Sequence, residues 1–490
     1  MSIGNTRRGG RSTSLAIFLL LLISPAVLFA QDREMPLTAS KEALALFLQG
    51  REKAENLEDA GTLFDQAIQK DPDFAMAYLF AGRTNQEFRK NVVKAVGLAD
   101  KVSPGEREWI LAARDQAEGN PAGRKEHLDQ LLKLHPADKR AHSQMGVYYR
   151  SVGDDAASLR HFSEAARLDK KYAPAYNNIG YADLSLGRYA DAERAFKTYI
   201  KLIPKNPNPY DSYAELLMKT GKYDESIKQY NRALAVDPTF VSSYRGIGNN
   251  YAYKGDYARA RESYQHMFDK ATDDGQRDQA LLSVVNSYVV EGKTGEALAA
   301  NERRRELAEK AGDVQTLIGV HTAGGLILIE AGKLEDAAKQ FERADQLRAD
   351  PSLPAAGMEN RRFGGLRSRA RLSIARLEFD PATTLLEEMR QSLSSRKNPN
   401  QEMGYNETAG FLALGQKDYA KALEYFAKAD PNDPYVWYYR AVAQEGAGDR
   451  KSATALYRKV VEWNQLDDTG YAVVRSRAAA RGVELAKLPR

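Results

Sequence analysis

A gap-free repeat of 34 residues limits the folds open to this chain more than any other feature, and its four consecutive blocks begin at Lys139, Ala173, Pro207 and Val241. In every block the eighth position is glycine or alanine, the fifteenth is glycine, and the twenty-fourth is phenylalanine or tyrosine. Apolar residues recur every three or four positions, which indicates helices. A repeat of this length predicts stacked helical pairs, each of which buries its apolar face against its neighbours.

The recurring residues have physical roles in such a pair. Glycine at a helix end adopts the left-handed conformation that other residues resist, so the first helix ends there and the second folds back. A small residue at position eight lets the two helices approach closely, and the ring at position twenty-four fills the space opposite. The glycines expected to end first helices are Gly153, Gly187, Gly221 and Gly255.

These residues resemble the tetratricopeptide-repeat family, a helix-turn-helix solenoid. The match is strong over 139–274 and weaker on both sides. On the downstream side, Gly292, Gly332 and Gly448 continue the pattern at altered spacing. The resemblance implies an all-α, right-handed superhelical solenoid of about eleven hairpins and a C-terminal capping helix. The domains we predict are a signal peptide over 1–30, divergent hairpins over 31–138, four regular repeats over 139–274, longer hairpins over 275–397, two repeats over 398–464 and the capping helix over 465–490.

The first thirty residues have the pattern of an export signal. Arg7, Arg8 and Arg11 precede an apolar run from Leu15 to Ala30, and polar residues follow. Since this run is shorter than the roughly 20 residues of a spanning helix, we expect cleavage after Ala30 and a periplasmic or secreted protein. The alternative is an uncleaved leader, which would make the chain a membrane-tethered ectodomain of a sensor or regulatory protein.

Composition argues against several kinds of chemistry. The chain has no cysteine, which excludes disulfides and thiolate catalysis. Of 71 Lys and Arg, three lie in the leader, so 68 basic residues face 66 acidic ones, a balance that does not indicate nucleic-acid binding. The histidines lack the spacing of a zinc protease. We therefore expect no enzyme activity, metal, cofactor or small-molecule substrate.

The family resemblance implies a binding groove lined by the first helix of each repeat. In the four regular blocks the groove positions are Arg140, Ser143, Val147, Asn177, Tyr181, Leu184, Asp211, Glu215, Met218, Ser242, Arg245 and Asn249. This mixture of donors, acceptors and one aromatic ring suits an extended peptide, although the same residues could simply face water. One family variant clamps a C-terminal carboxylate, but only Asn178 stands at a matching place here, so we do not expect that clamp.

A second candidate surface is basic. Arg362, Arg369 and Arg376 recur at seven-residue steps in a stretch without acidic residues, and on a helix they form one stripe. The stripe could contact an acidic partner or an anionic lipid surface, and the alternative is a solvated outer face. Taken together, the sequence predicts an exported, non-catalytic scaffold that binds a protein or an extended peptide.

Overall fold

A computed structural model describes residues 34–82, 85–354, 357–393 and 399–487. The predicted signal peptide lies outside these residues. Within them the chain is all-α, with 25 α-helices, one short 3₁₀ turn and no strand. The chain divides into two compact units, one that ends at Asn178 and one that begins at Ile179.

The first unit contains the helices of four pairs and the start of a fifth. Its helices are α1 (Lys41–Glu55), α2 (Gly61–Lys70), α3 (Ala75–Ala81), α4 (Asn85–Gly97), α5 (Pro104–Glu118), α6 (Pro121–Leu134), α7 (Lys139–Ser151) and α8 (Asp155–Leu168). The next helix, α9 (Ala173–Ser185), includes residues of both units.

The second unit continues the same alternation of first and second helices. Its helices are α10 (Tyr189–Leu202), α11 (Asn208–Lys219), α12 (Tyr223–Val236), α13 (Val241–Tyr253), α14 (Tyr257–Lys270), α15 (Asp274–Glu291), α16 (Thr294–Ala311), α17 (Val314–Glu330), α18 (Leu334–Arg348), α19 (Met358–Ala375), α20 (Phe379–Leu393), α21 (Pro399–Gly415), α22 (Tyr419–Phe426), α23 (Pro434–Gly446), α24 (Arg450–Val461) and α25 (Thr469–Lys487).

The roles predicted for glycine and for the aromatic ring are confirmed in the regular blocks. Gly255, between α13 and α14, has a φ of +79°, which is the left-handed conformation that lets one helix end and the next fold back. A Cβ atom at Gly248 would lie only 2.3 Å from the ring of Tyr264. The ring of the second helix therefore packs directly on the backbone of the first.

The described helices form a solenoid of twelve pairs and a final helix, which confirms the fold class and exceeds the predicted number of pairs by one. Glycines mark only some of the turns. Leu57, Leu377 and Lys417 adopt positive φ at the turns after α1, α19 and α21, so those hairpins lack the glycine that identifies the others in the sequence. The handedness of the superhelix and the domain boundaries stay predictions.

First helices of adjacent pairs touch one another in the second unit. Such contacts join α11 to α13, α13 to α15, α17 to α19, and α19 to α21. The first helices therefore form the inner side of the unit, and that side carries the predicted groove positions from Asp211 to Asn249.

Candidate partner-binding groove

The C-terminal end of the chain lies on the inner side of the second unit. We call the surface formed by α11, α13, α15 and α17 the inner groove. The final helix, α25, contacts α23 and α24 of the last pair, and it also contacts α15 and α17 of the inner groove. The sequence predicts the first of these contacts, because a solenoid needs a cap for its last repeat, but it does not predict the second.

Polar contacts fix the segment before and within α25 against the inner groove. The Asn464 side-chain oxygen accepts a hydrogen bond from the Tyr223 hydroxyl at 3.1 Å, at the start of α12. The Thr469 hydroxyl donates to the Asn286 side-chain oxygen of α15 at 3.0 Å, and both residues are buried. Further along α25, Arg477 forms an ion pair with Glu330 at the end of α17. The segment therefore crosses several first helices.

Buried apolar side chains and cation–π contacts also hold this C-terminal segment, and we call its position on the inner groove the seat of α25. In α25, Tyr471, Val474 and Ala478 are at most 1% exposed. The guanidinium of Arg475 lies 4.8 Å from the ring centroid of Tyr253 in α13. At the other end of the segment, the Trp463 ring lies 3.4 Å from Nζ of Lys219 in α11.

Four of the predicted groove residues meet in one cluster within the second unit. The Tyr181 hydroxyl donates to a carboxylate oxygen of Glu215 at 2.6 Å. On the same helix as Glu215, Asp211 is 5% exposed and accepts a hydrogen bond from the Ser243 hydroxyl at 2.7 Å. Arg245 is near enough to lower the pKa of both carboxyl groups. The cluster therefore combines two acids, a phenol and one cation.

Burial dominates the electrostatics of this cluster. It raises the pKa of Asp211 to about 7, with a further contribution from the negative charge of Glu215. Burial also raises the pKa of Glu215, and Asp467 in the C-terminal segment adds to this effect. The lowered pKa of Lys219, about 8, has burial as its main cause as well. The helices of the inner groove carry more acidic than basic side chains. At this end, however, Lys219 and Arg245 lie near the two acids, and burial favours the protonated form of Asp211 and Glu215.

Asn249 serves a different purpose. Its side-chain oxygen accepts a hydrogen bond from the Tyr264 hydroxyl at 2.8 Å, and the asparagine is 6% exposed. This contact satisfies the phenol of the buried ring that packs on Gly248. Within this structure the residue therefore holds the hairpin of α13 and α14 together.

In the first unit, the predicted groove residue Arg140 is the centre of an ion network. Its guanidinium contacts Glu34 at 2.7 Å and Glu55 at 3.2 Å, and its side chain is 11% exposed. Burial alone would raise the pKa of Glu34, but the neighbouring cations, above all Arg140 and then Arg51 and Lys139, lower it to about 2. The arginine is thus already paired within the unit.

Asn177 and Asn178 lie near the start of α9. The side chain of Asn178 accepts a hydrogen bond from Arg150 at 2.6 Å and donates one to the carbonyl of Pro174 at 2.8 Å. The buried side-chain oxygen of Asn177 has no hydrogen-bond partner among the described residues. Since neither hydrogen bond of Asn178 involves Arg140, the predicted groove residues of this unit do not meet in one cluster.

The predicted basic stripe is partly neutralised. Arg369 lies 3.5 Å from Asp345 and Arg376 lies 2.7 Å from Glu335, and both acids belong to α18. Arg362, near the start of α19, is exposed. Ion pairing with the preceding helix thus accounts for two of the three arginines without any external partner.

An open cavity of about 470 Å³ lies on the inner side of the second unit, beside the start of α25. Its charged lining residues are Arg304, Arg348, Arg367, Arg371, Asp433, Asp467 and Asp468. The arginines have partners in the chain: Arg367 and Arg371, for example, both bind Glu407. Burial, followed by the charge of Glu407, raises the pKa of Asp433 to about 6.

The sequence did not predict that the C-terminal segment is part of the groove. The contacts of this segment with the helices from α11 to α17 join residues that are 147 to 246 positions apart, and no local pattern indicates such pairing. One signal was nevertheless present. Residues 471–474 are four consecutive apolar positions of α25, and all four are buried. A helix that is apolar on more than one side has to be covered on more than one side.

Membrane-spanning and metal-binding features are absent from the described part of the chain. No helix there has the length and apolar character needed to cross a membrane. In the same residues, histidine and carboxylate side chains do not gather in groups of three or more that could hold a metal ion.

The repeat pattern, the paired helices and the inner groove together define an all-α helical-repeat protein. Models of the tetratricopeptide repeat match residues 173–206 and 413–476, and a TPR repeat model matches 214–255. No curated protein matches the chain. Proteins with such repeats are in general non-catalytic adaptors for protein–protein interaction.

Several solved structures resemble parts of the chain. Pseudomonas aeruginosa pilF is 16% identical, over 43% of this chain and 93% of that chain, with a TM-score of 0.34. MamA from Desulfovibrio magneticus RS-1 is 17% identical, over 33% and 92%, with a TM-score of 0.31. YrrB, a TPR protein with an unusual peptide-binding site, is 16% identical, over 37% and 91%, with a TM-score of 0.28. At these values the likeness concerns helical repeats alone.

Proposed function

We propose that the protein is an exported, non-catalytic scaffold that binds a protein partner on the inner groove of its second unit. The observation that carries this proposal is the seat of residues 463–477. The inner groove holds a polypeptide segment through side-chain hydrogen bonds, an ion pair and buried apolar contacts. These are the interactions by which helical grooves recognise peptides.

Export is supported by the pattern of residues 1–30. Glu34 lies four positions after the predicted cleavage site at Ala30 and contacts Arg140, Arg51 and Lys139. Cleavage after Ala30 therefore leaves every member of this network in the mature chain. The intact mass of the protein isolated from its native cells checks this, with loss of residues 1–30 as the expected result.

Partner binding is tested by affinity capture from the native source after in-cell cross-linking. Glu330→Arg reverses the groove charge that pairs with Arg477, so the variant should capture less of the partner than the wild-type chain does. Arg259→Glu is the matched control, because the Arg259 side chain is 57% exposed on α14 and forms its ion pair with the neighbouring Asp256. Identical capture by the two variants contradicts the assignment to the inner groove, and absence of any captured protein contradicts the scaffold.

A further inference from the structure

We propose that residues 463–487 are an exchangeable occupant of the inner groove, and that a basic amphipathic helix of a partner binds there in their place. This inference rests on the proposed function, since it names the kind of segment that the scaffold binds. It follows from the charge of the groove, from the way α25 is anchored, and from the quality of its fit.

The inner groove presents acidic and aromatic groups to its occupant. Asp211 and Glu215 lie at one end, Glu330 lies at the other, and the ring of Tyr253 lies on α13. The occupying helix α25 contacts these groups with cationic side chains: Arg477 pairs with Glu330, and Arg475 lies over the Tyr253 ring. Among the residues of α25 the basic side chains outnumber the acidic ones. A partner helix that is to replace α25 therefore has to be basic.

The apolar anchors of α25 have the spacing of helix-in-groove recognition. Tyr471, Val474 and Ala478 stand at positions i, i+3 and i+7, and all three are buried. A small residue at the third anchor allows close approach of the helix backbone to its seat. The partner segment should therefore combine one large ring with small apolar residues at these steps.

Two buried polar groups where α25 meets the inner groove lack a hydrogen-bond partner among the described residues. At the contact with α15, the Asn286 side chain accepts a bond from Thr469, while its buried NH₂ group has no hydrogen-bond partner in the described chain. Nε of Arg475 is likewise buried without a partner there.

Each of these unpaired groups weakens the hold of the groove on α25, because a buried polar group without a hydrogen-bond partner costs free energy. The covalent link keeps α25 in place despite this cost, since a tethered segment competes at an effective concentration on the order of millimolar. A free helix that places a hydrogen-bond acceptor beside the NH₂ group of Asn286 removes one of these costs. Such a helix can displace α25 at a lower concentration than the tether alone would dictate.

The experiment locks α25 in the groove and asks whether a peptide can still enter. The chain contains no cysteine, so Asn286→Cys with Thr469→Cys introduces a single disulfide between side chains that touch in the structure. The probe is a fluorescein-labelled peptide with the sequence of residues 469–487, and fluorescence anisotropy reports its binding to the full chain. We expect binding to the reduced variant, and binding weaker by at least about tenfold once the disulfide closes.

Two controls accompany this measurement. The wild-type chain, treated with the same oxidant, should bind the peptide equally before and after treatment. A peptide in which glutamate replaces the residues corresponding to Arg475, Arg477 and Arg481 should not bind, because the groove is acidic. Equal binding with the disulfide open and closed overturns the proposal, as does absence of binding to both the wild-type and the reduced chains.

A second measurement serves if the cysteine variant fails to fold. In the wild-type chain, excess peptide should accelerate amide hydrogen exchange in α25 and leave that of α8 in the first unit unchanged. Unchanged exchange in α25 overturns the proposal. If the protein still captures its partner when the disulfide is closed, the proposed exchange of α25 is wrong but the proposed scaffold function stands. If the peptide binds but no native partner is captured, the scaffold function is wrong and the exchange stands.

Discussion

The two units stabilise the ends of the chain in different ways. In the first unit an extended segment lies against the starts of first helices, and its backbone N–H groups at Met35 and Thr38 donate to the carboxylates of Asp138 and Glu106, at 2.7 and 2.9 Å. In the second unit the C-terminal end is a helix, and it is anchored by buried side chains such as Val474.

The difference shows what each kind of anchor can distinguish. A backbone N–H group is available in almost any sequence, so the N-terminal segment is held mainly by main-chain polarity and by the ion network of Glu34. The C-terminal helix is held by the size, shape and charge of particular side chains. Only the second type of seat selects one amphipathic helix over another, which is why the inner groove is the better candidate for partner recognition.

The largest expected effect comes from a charge placed in the seat of α25. Val474→Asp puts a carboxylate at a position that is fully buried, and it should destabilise the second unit by about 3–5 kcal/mol. Val483→Asp in the same helix is the control, because Val483 is 56% exposed and its change should stay within about 0.5 kcal/mol. Urea unfolding followed by hydrogen exchange measures both. Equal losses would show that α25 contributes no specific packing.

Arg140→Ala should cause a smaller loss of folding stability, in the first unit. The substitution leaves Glu34 and Glu55 without their shared cation in a largely buried network, at a cost of about 2 kcal/mol. Arg167→Ala removes an exposed pair with Glu164 and should leave the stability close to that of the wild-type chain. Thermal unfolding of the two variants compares them, and a ratio near one would argue that the N-terminal segment is held without the ion network.

The smallest expected effect is a pH dependence of the stability of the second unit, which arises from its buried carboxyl groups. A carboxyl group whose pKa is raised on folding stabilises the fold below its ordinary pKa, and this contribution is lost as pH rises through the folded value. For Asp211 that value is about 7, so the melting temperature of the second unit should increase by about 2–4 °C between pH 7.5 and pH 5. Lys219 titrates near pH 8, above this window.

The pH prediction has an internal control. Asp211→Asn should reduce the dependence to the part that comes from other buried acids such as Asp433, whose pKa is about 6. Asp256→Asn, at the N-terminal cap of α14, should leave it unchanged because hydrogen bonds from Arg259 lower the pKa of Asp256. Differential scanning calorimetry at the two pH values measures the effect. A wild-type melting temperature that falls on acidification between these values would contradict the buried state of Asp211.

The regular hairpins were predictable because their determinants are local. Gly248 and Tyr264 are separated by half a repeat, and the recurrence of the same kinds of residue in each block predicts that they touch. The number of irregular hairpins was harder to predict. At Leu377 and Lys417 a residue other than glycine adopts the positive φ of the turn, so the sequence does not mark the end of the helix.

The candidate site could be predicted only in part. Position within a repeat identified Tyr181, Asp211 and Glu215 as residues of first helices, and the three side chains do form one cluster. Position could not show that Asp467 approaches that cluster, because this contact depends on how many hairpins lie between and on how each is rotated relative to the next. Partner contact at these residues stays a prediction.

The sequence alone was enough to establish the 34-residue period, the helical pairs and the balance of charge, because each of these depends on neighbours along the chain or on composition. It also predicted a final amphipathic helix. What that helix covers was settled by the tertiary structure and by nothing local. Thr469 meets Asn286 across 183 residues, since small rotations between successive pairs add up along a solenoid and bring its C-terminal end onto its own inner groove.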